Sequence, residues 1–157
     1  MTANCIPEAK LDALPLTAQN VNVISAAETN QADPAVGSIL IVDDDPSVAD
    51  TFARLLKLEG FRVTTALDPA VGLELADSLR PQAIILDMRM PIVSGIQFLR
   101  EVRARPHLVH IPVAIVTGDY FLSDALQKEL KLLGAAVRFK PLWLDDLVAL
   151  AKALIPR

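Results

Sequence analysis

Five short apolar runs, at residues 39–42, 61–65, 83–86, 113–116 and 135–139, alternate with segments of helical periodicity from residue 38 onward. The runs are nearly unbroken and rich in β-branched residues, a pattern that suits strands buried on both faces. Helix punctuation fills the gaps between them. Asp45 and Pro46 supply an N-cap and a first-turn proline, Val48, Phe52, Leu55 and Leu56 form an apolar stripe, and Gly60 closes the segment. Asp68 and Pro69 repeat the start signal, with Val71, Leu75 and Leu79 as the stripe and Pro81 past the end. Further helices are expected over residues 94–105, 120–133 and 144–154. Five strands, each followed by a helix, imply an α/β fold. It is a doubly wound (βα)5 five-stranded parallel sheet with right-handed crossovers and helices on both faces.

The remainder of the chain narrows the class. At 157 residues, 52% hydrophobic and 22% charged, it has material for one core and a short appendage. Residues 1–37 carry four acids (Glu8, Asp12, Glu28, Asp33) against Lys10 and show no sustained period, so they read as a flexible N-terminal arm ahead of a domain over 38–157. The 19 acids against 15 bases, a net charge of -4, argue against direct contact with nucleic acid. Cys5 is the single cysteine, which leaves no internal disulfide and no zinc cluster. No signal-like start is present, and no apolar stretch approaches the ~20 residues of a membrane span, so a cytoplasmic protein that does not enter the membrane is expected.

In a parallel sheet of this kind, sites form where strands end and helices begin. The polar residues at those ends are Asp43, Asp44 and Asp45, then Asp87, then Thr117, then Lys140 before Pro141. Asp45 is accounted for as a helix cap; Asp43, Asp44 and Asp87 are not. Acids gathered in one place repel one another and resist ionisation unless a cation joins them. A hard, oxygen-preferring cation such as magnesium fits that need. Lys140 offers a fixed positive charge, and the proline after it aims the side chain in a tight turn. Two unit charges ~4 Å apart attract by about 4 kcal/mol at a surface-like dielectric, enough to hold the ammonium over the acids. Acids, a hydroxyl and a lysine together describe a site for phosphoryl transfer, in which a metal and fixed donors spread charge over the phosphoryl oxygens.

The motifs Ile-Leu-Ile-Val-Asp43-Asp44-Asp45-Pro46, Ile-Leu-Asp87-Met-Arg-Met-Pro91, Val-Thr117 and Phe-Lys140-Pro141 resemble the receiver domain of bacterial two-component response regulators, in order, over residues 38–155. The resemblance implies the flavodoxin-like strand order 2-1-3-4-5. It also implies that Asp87 is the phosphoacceptor, taking its phosphoryl group from a sensor histidine kinase or a histidine phosphotransfer protein. Asp43, Asp44, Asp87 and the main-chain carbonyl of Arg89 are then the magnesium ligands, Asp43 directly or through water. Thr117 and Lys140 hold phosphoryl oxygens, and a downstream protein docks on the face made by the fourth helix, fifth strand and fifth helix.

Three positions depart from the pattern or qualify it. The family usually carries an aromatic residue three before the lysine, where this chain has Val137, so switching is expected to lean on backbone and fourth-helix movement. Gly118 stands where alanine is commoner and is expected to loosen the same loop. Arg89 and Asp119 are expected to flank the pocket mouth, and either pair across it and hinder water or stand as independent solvated side chains. Exposed aromatics among Tyr120, Phe121 and Trp143 would mark a partner surface. The chain stops soon after the fifth helix, so a stand-alone, phosphorylation-controlled binding protein is expected, not an enzyme. Its competitors are a constitutive, non-phosphorylated scaffold with a vestigial site, a receiver fragment of a longer regulator, and an aspartyl phosphatase. The last usually needs an acid two residues after the nucleophile, where Arg89 stands.

Overall fold

The computed structural model describes residues 35–156. The arm expected over residues 1–37 lies outside the described residues except for its last three. Of those, Val36 donates its N–H to Gly60 and Gly37 accepts from Arg62 N–H, so residues 36 and 37 are tied to the domain. Among the described residues, five strands and five helices alternate as β1 (Ser38–Val42), α1 (Pro46–Leu58), β2 (Arg62–Ala66), α2 (Pro69–Leu79), β3 (Ala83–Asp87), α3 (Gly95–Ala104), β4 (Val113–Thr117), α4 (Asp124–Leu132), β5 (Ala135–Phe139) and α5 (Leu144–Leu154). All pairings are parallel and the order is β2-β1-β3-β4-β5, as the resemblance implies.

Alternation along the central strands builds two cores. Ile39, Ile41, Ile85, Ala114 and Val116 pack with Phe52 and Leu56 of α1 and Leu147, Leu150 and Leu154 of α5. Their neighbours Leu40, Val42, Ile84, Leu86 and Ile115 pack on the other face with Phe98, Leu99 and Val102 of α3 and Leu130 of α4. Successive side chains of a strand point to opposite faces, so a continuous apolar run feeds both layers. Burial on both faces holds for β1, β3 and β4. It fails for the edges: β2 is buried fully only at Ala66, and β5 is half-buried turning exposed at Arg138 and Phe139.

Two helices differ from the sequence pattern. The stripe expected on α2 is not its buried face, because Val71 and Leu79 are exposed while Pro69, Gly72 and Ala76 are buried. Small residues win there because α2 approaches closely: a Cβ on Gly72 would lie 3.0 Å from Phe98 and 3.0 Å from Val42. Helix α4 starts at Asp124 rather than at residue 120, since Ser123 Oγ caps it by accepting from Leu126 N–H at 3.3 Å. Only Leu130 of α4 is fully buried.

Candidate functional site

Strand register brings the polar residues together. Val42 pairs with Leu86, which sets Asp43 level with Asp87 at the carboxyl ends of β1 and β3. Asp87 pairs with Val116, and Thr117 with Phe139, so Thr117 and Lys140 each sit one step further along the next strand end. Helix α1 covers one face after β1 and α3 the other after β3. The crevice between β1 and β3 is therefore the switch point at which such sheets carry sites.

Asp43 and Asp87 are 4% and 7% exposed, and Asp44 beside them is open to solvent. One carboxylate oxygen from each of Asp43, Asp44 and Asp87 lies within 4.8 Å of the others. Lys140 Nζ donates to Asp43 Oδ2 at 3.1 Å and to Asp87 Oδ1 at 3.1 Å. Asp43 Oδ1 accepts from Asp45 N–H at 2.9 Å. Asp45 itself faces the helix, accepting from Ser47 N–H at 2.8 Å and Val48 N–H at 3.3 Å. The cap and the cluster are thus separate tasks for adjacent acids.

Charge balance follows from this geometry. Burial pushes the Asp87 carboxyl above its ordinary range; Lys140 pulls it back, and Asp43 and Asp44 push it further up. Burial works against the Lys140 ammonium, but the Asp43 and Asp87 carboxylates outweigh it and hold the lysine proton more tightly than usual. Three carboxylates face one ammonium, so the cluster carries surplus negative charge, and its donors are all hard oxygens. That donor set fits a magnesium ion.

Thr117 is fully buried, and its hydroxyl accepts from Asp119 N–H at 3.0 Å. Arg89 and Asp119 are paired, Nη2 to Oδ2 at 2.7 Å, with the Arg89 side chain mostly in solvent. The partnership raises the Arg89 pKa and lowers that of Asp119. Val137 is half-buried in a groove of about 310 Å³ between α4 and β5, with Leu122, Leu130 and Phe139. A Cβ on Gly118 would meet nothing within 4 Å, so that loop does not require its glycine for space. Met88 and Met90 are buried in the core beside the site. Tyr120, Phe121 and Trp143 are all exposed, Phe121 at 92%.

Two features of the site carried no recognised signal in the sequence. Gly95 begins α3 against the backbone of the Asp87 strand end, donating its N–H to Met88 at 2.9 Å. A Cβ there would lie 2.5 Å from the Asp87 carbonyl oxygen. Tyr120 stacks on Phe139 with ring centroids 5.3 Å apart, and its hydroxyl donates to the main-chain carbonyl of Lys140.

Known proteins place this arrangement in context. The profile of the family described as the response regulator receiver domain matches residues 39–152. Transcriptional regulatory protein PrrA of Mycobacterium leprae is 36% identical over 119 residues, 76% of this chain and 50% of that protein. Response regulator MprA of Mycolicibacterium vanbaalenii is 32% identical over 122 residues, again 76% and 50%. Chemotaxis protein CheY4 of Vibrio cholerae superposes with a TM-score of 0.70 at 28% identity, over 76% of this chain and 99% of that one. The receiver domain of the sensor histidine kinase PA1611 from Pseudomonas aeruginosa, solved with a magnesium ion in its active site cleft, gives 0.69 at 25% identity over 77% and 98%. The chain spans about half the length of the curated relatives it matches, so these comparisons do not support the expectation of a stand-alone protein. Among the described residues, no helix is long and apolar enough to cross a membrane.

Proposed function

The chain belongs to the response regulator receiver family, and from that premise we propose that Asp87 accepts a phosphoryl group from a histidine kinase or a histidine phosphotransfer protein, and that the product switches protein–protein binding. The observation that carries this reading is the Lys140 ammonium shared between Asp43 and Asp87 at 3.1 Å each, with Asp44 completing the acidic cluster.

The chemistry asked of each residue is simple. The Asp87 carboxylate attacks phosphorus, the phosphorus–nitrogen bond of the donor imidazole breaks, and its electron pair leaves on the ring nitrogen, which takes up a proton. Lys140 stays over the site and exchanges its carboxylate contact for a phosphoryl oxygen. Thr117 has one hydroxyl lone pair occupied by Asp119 N–H, so its own proton is free to donate to another phosphoryl oxygen. Held by Asp43, Asp44, Asp87 and the Arg89 main-chain carbonyl, a magnesium ion would neutralise charge on the acyl phosphate and its donor. Arg89 and Asp119 close the pocket mouth and slow the water that would hydrolyse the product.

The family is a phosphoacceptor signalling domain rather than a conventional enzyme. The phosphorylation and hydrolysis assigned here are single events on its own side chain, in the cytoplasm where a kinase presents phosphohistidine. Exposed Tyr120, Phe121 and Trp143 support a docking role for the α4–β5–α5 face and its adjoining loops. The test is intact mass after incubation with acetyl phosphate. One phosphoryl group is expected with magnesium and none with a chelator; equal uptake by Asp87→Ala would remove the assignment.

A further inference from the structure

We infer that Tyr120 is a positioning residue for Lys140, a role that rests on the phosphoacceptor reading above. The ammonium of Lys140 ends a flexible four-carbon stem, so its aim depends on how firmly the backbone beneath it is held. That backbone leaves β5, an edge strand whose last two residues are exposed, with no further strand beyond it among the described residues. Both main-chain polar groups of Lys140 are nonetheless taken. Its N–H donates to Thr117 O at 2.8 Å, and its carbonyl accepts from the Tyr120 hydroxyl. The residue before it, Phe139, lies flat against the Tyr120 ring, 14° from parallel. The residue after it, Pro141, joined through a cis peptide bond, has no N–H to contribute.

Tyr120 is itself well anchored. Asp119 N–H donates to Thr117 Oγ1 at 3.0 Å, Phe121 N–H to Asp119 Oδ1 at 3.0 Å, and Arg89 grips Asp119 from across the mouth. The loop after β4 is thus a braced turn, and Tyr120 carries its position to Lys140. A ring that served only as filling would need no donor at its tip. The hydroxyl meets the one carbonyl whose residue also supplies the ammonium over Asp87.

The test compares the full chain with Tyr120→Phe, which keeps the stack and loses the donor, and with Tyr120→4-aminophenylalanine, which restores a donor. The rate of phosphorylation by acetyl phosphate with magnesium is followed by intact mass. Tyr120→Phe is expected to slow it about tenfold, less than the ~100-fold that a ~1 Å misplacement of a catalytic group can cost, and the amino analogue to recover most of the rate. An unchanged rate in Tyr120→Phe, or a loss that the amino analogue fails to rescue, overturns the assignment. Tyr120→Phe is expected to keep a cooperative melt; losing it also overturns the assignment, because the hydroxyl then holds the domain rather than Lys140. A wild-type chain that takes up no phosphoryl group refutes the phosphoacceptor reading instead, a result distinct from equal rates in the two proteins.

Discussion

Lys140 Nζ reaches Asp87 Oδ1 at 3.1 Å by passing over the end of β4, the strand that lies between theirs. The same ammonium meets Asp43 Oδ2 at the end of β1, so one side chain from an edge strand closes the rim of four adjacent strands. A long, unbranched cation is what that span requires, and the paired carboxylates keep it charged.

Asp87 is expected to destabilise the metal-free protein at neutral pH. Burial raises its pKa in the folded state, so the folded chain holds the Asp87 proton more tightly than the unfolded chain does. The associated stability is present below the unfolded pKa of ~3.9 and is lost as pH rises through the folded value. In chelator, Asp87→Asn should therefore melt several degrees higher than wild type at pH 7, with the gain shrinking towards pH 4. A lower melting temperature for the variant at pH 7 would contradict this balance.

Magnesium should reverse that penalty. An ion bound only by the folded state adds about 2.7 kcal/mol at a hundredfold excess over its Kd. Thermal melts with magnesium chloride, compared with sodium chloride at equal ionic strength, should show an upward shift for wild type. Asp44→Asn, at the solvent-facing member of the cluster, should lose most of it. An equal shift in both proteins would place the ion elsewhere.

Gly95→Ala should be costly out of proportion to one methyl group. The new Cβ would lie 2.5 Å from the Asp87 carbonyl oxygen and 2.8 Å from Met88 Cα, both backbone atoms that cannot rotate away. Pushing α3 off the strand end is expected to cost about 1–3 kcal/mol in urea unfolding. It should also slow phosphorylation by shifting Asp87. A variant as stable and as reactive as wild type would show that the contact relaxes freely.

The sheet and its acidic rim were legible because burial dictates them. Central strands covered by helices on both sides must be apolar throughout, and acids at their ends stand out against that background. The α2 face was not legible, since Val71, Leu75 and Leu79 form one apolar stripe at helical spacing, yet the buried face fell to Gly72 and Ala76 through close approach. The start of α4 was misread because Tyr120 and Phe121 continue an apolar period while Asp119 and Ser123 hold their backbone in a turn and a cap. Ile92 at φ 71 in the loop after β3 carries no sequence signal either, since β-branched residues avoid that region. The stack of Tyr120 on Phe139 depends on the loop after β4 meeting the end of β5, which no local pattern records.

The Arg89–Asp119 pair should lengthen the life of the phosphorylated form. Its members meet at 2.7 Å, and in the proposed mechanism they stand where an attacking water would enter. After removal of the phosphodonor, Arg89→Ala and Asp119→Ala should each lose phosphate severalfold faster than wild type, as followed by intact mass. Decay at the wild-type rate in both variants would dismiss the pair as a barrier.

The most direct measurement is localisation of the phosphoryl group itself. After acetyl phosphate and magnesium, borohydride reduction converts an aspartyl phosphate to homoserine, and peptide mass mapping then reads the position. The account predicts homoserine at position 87 alone, absent when magnesium is chelated. Homoserine at position 43 or 44, or an unmodified Asp87 in a folded, magnesium-loaded protein, would contradict it.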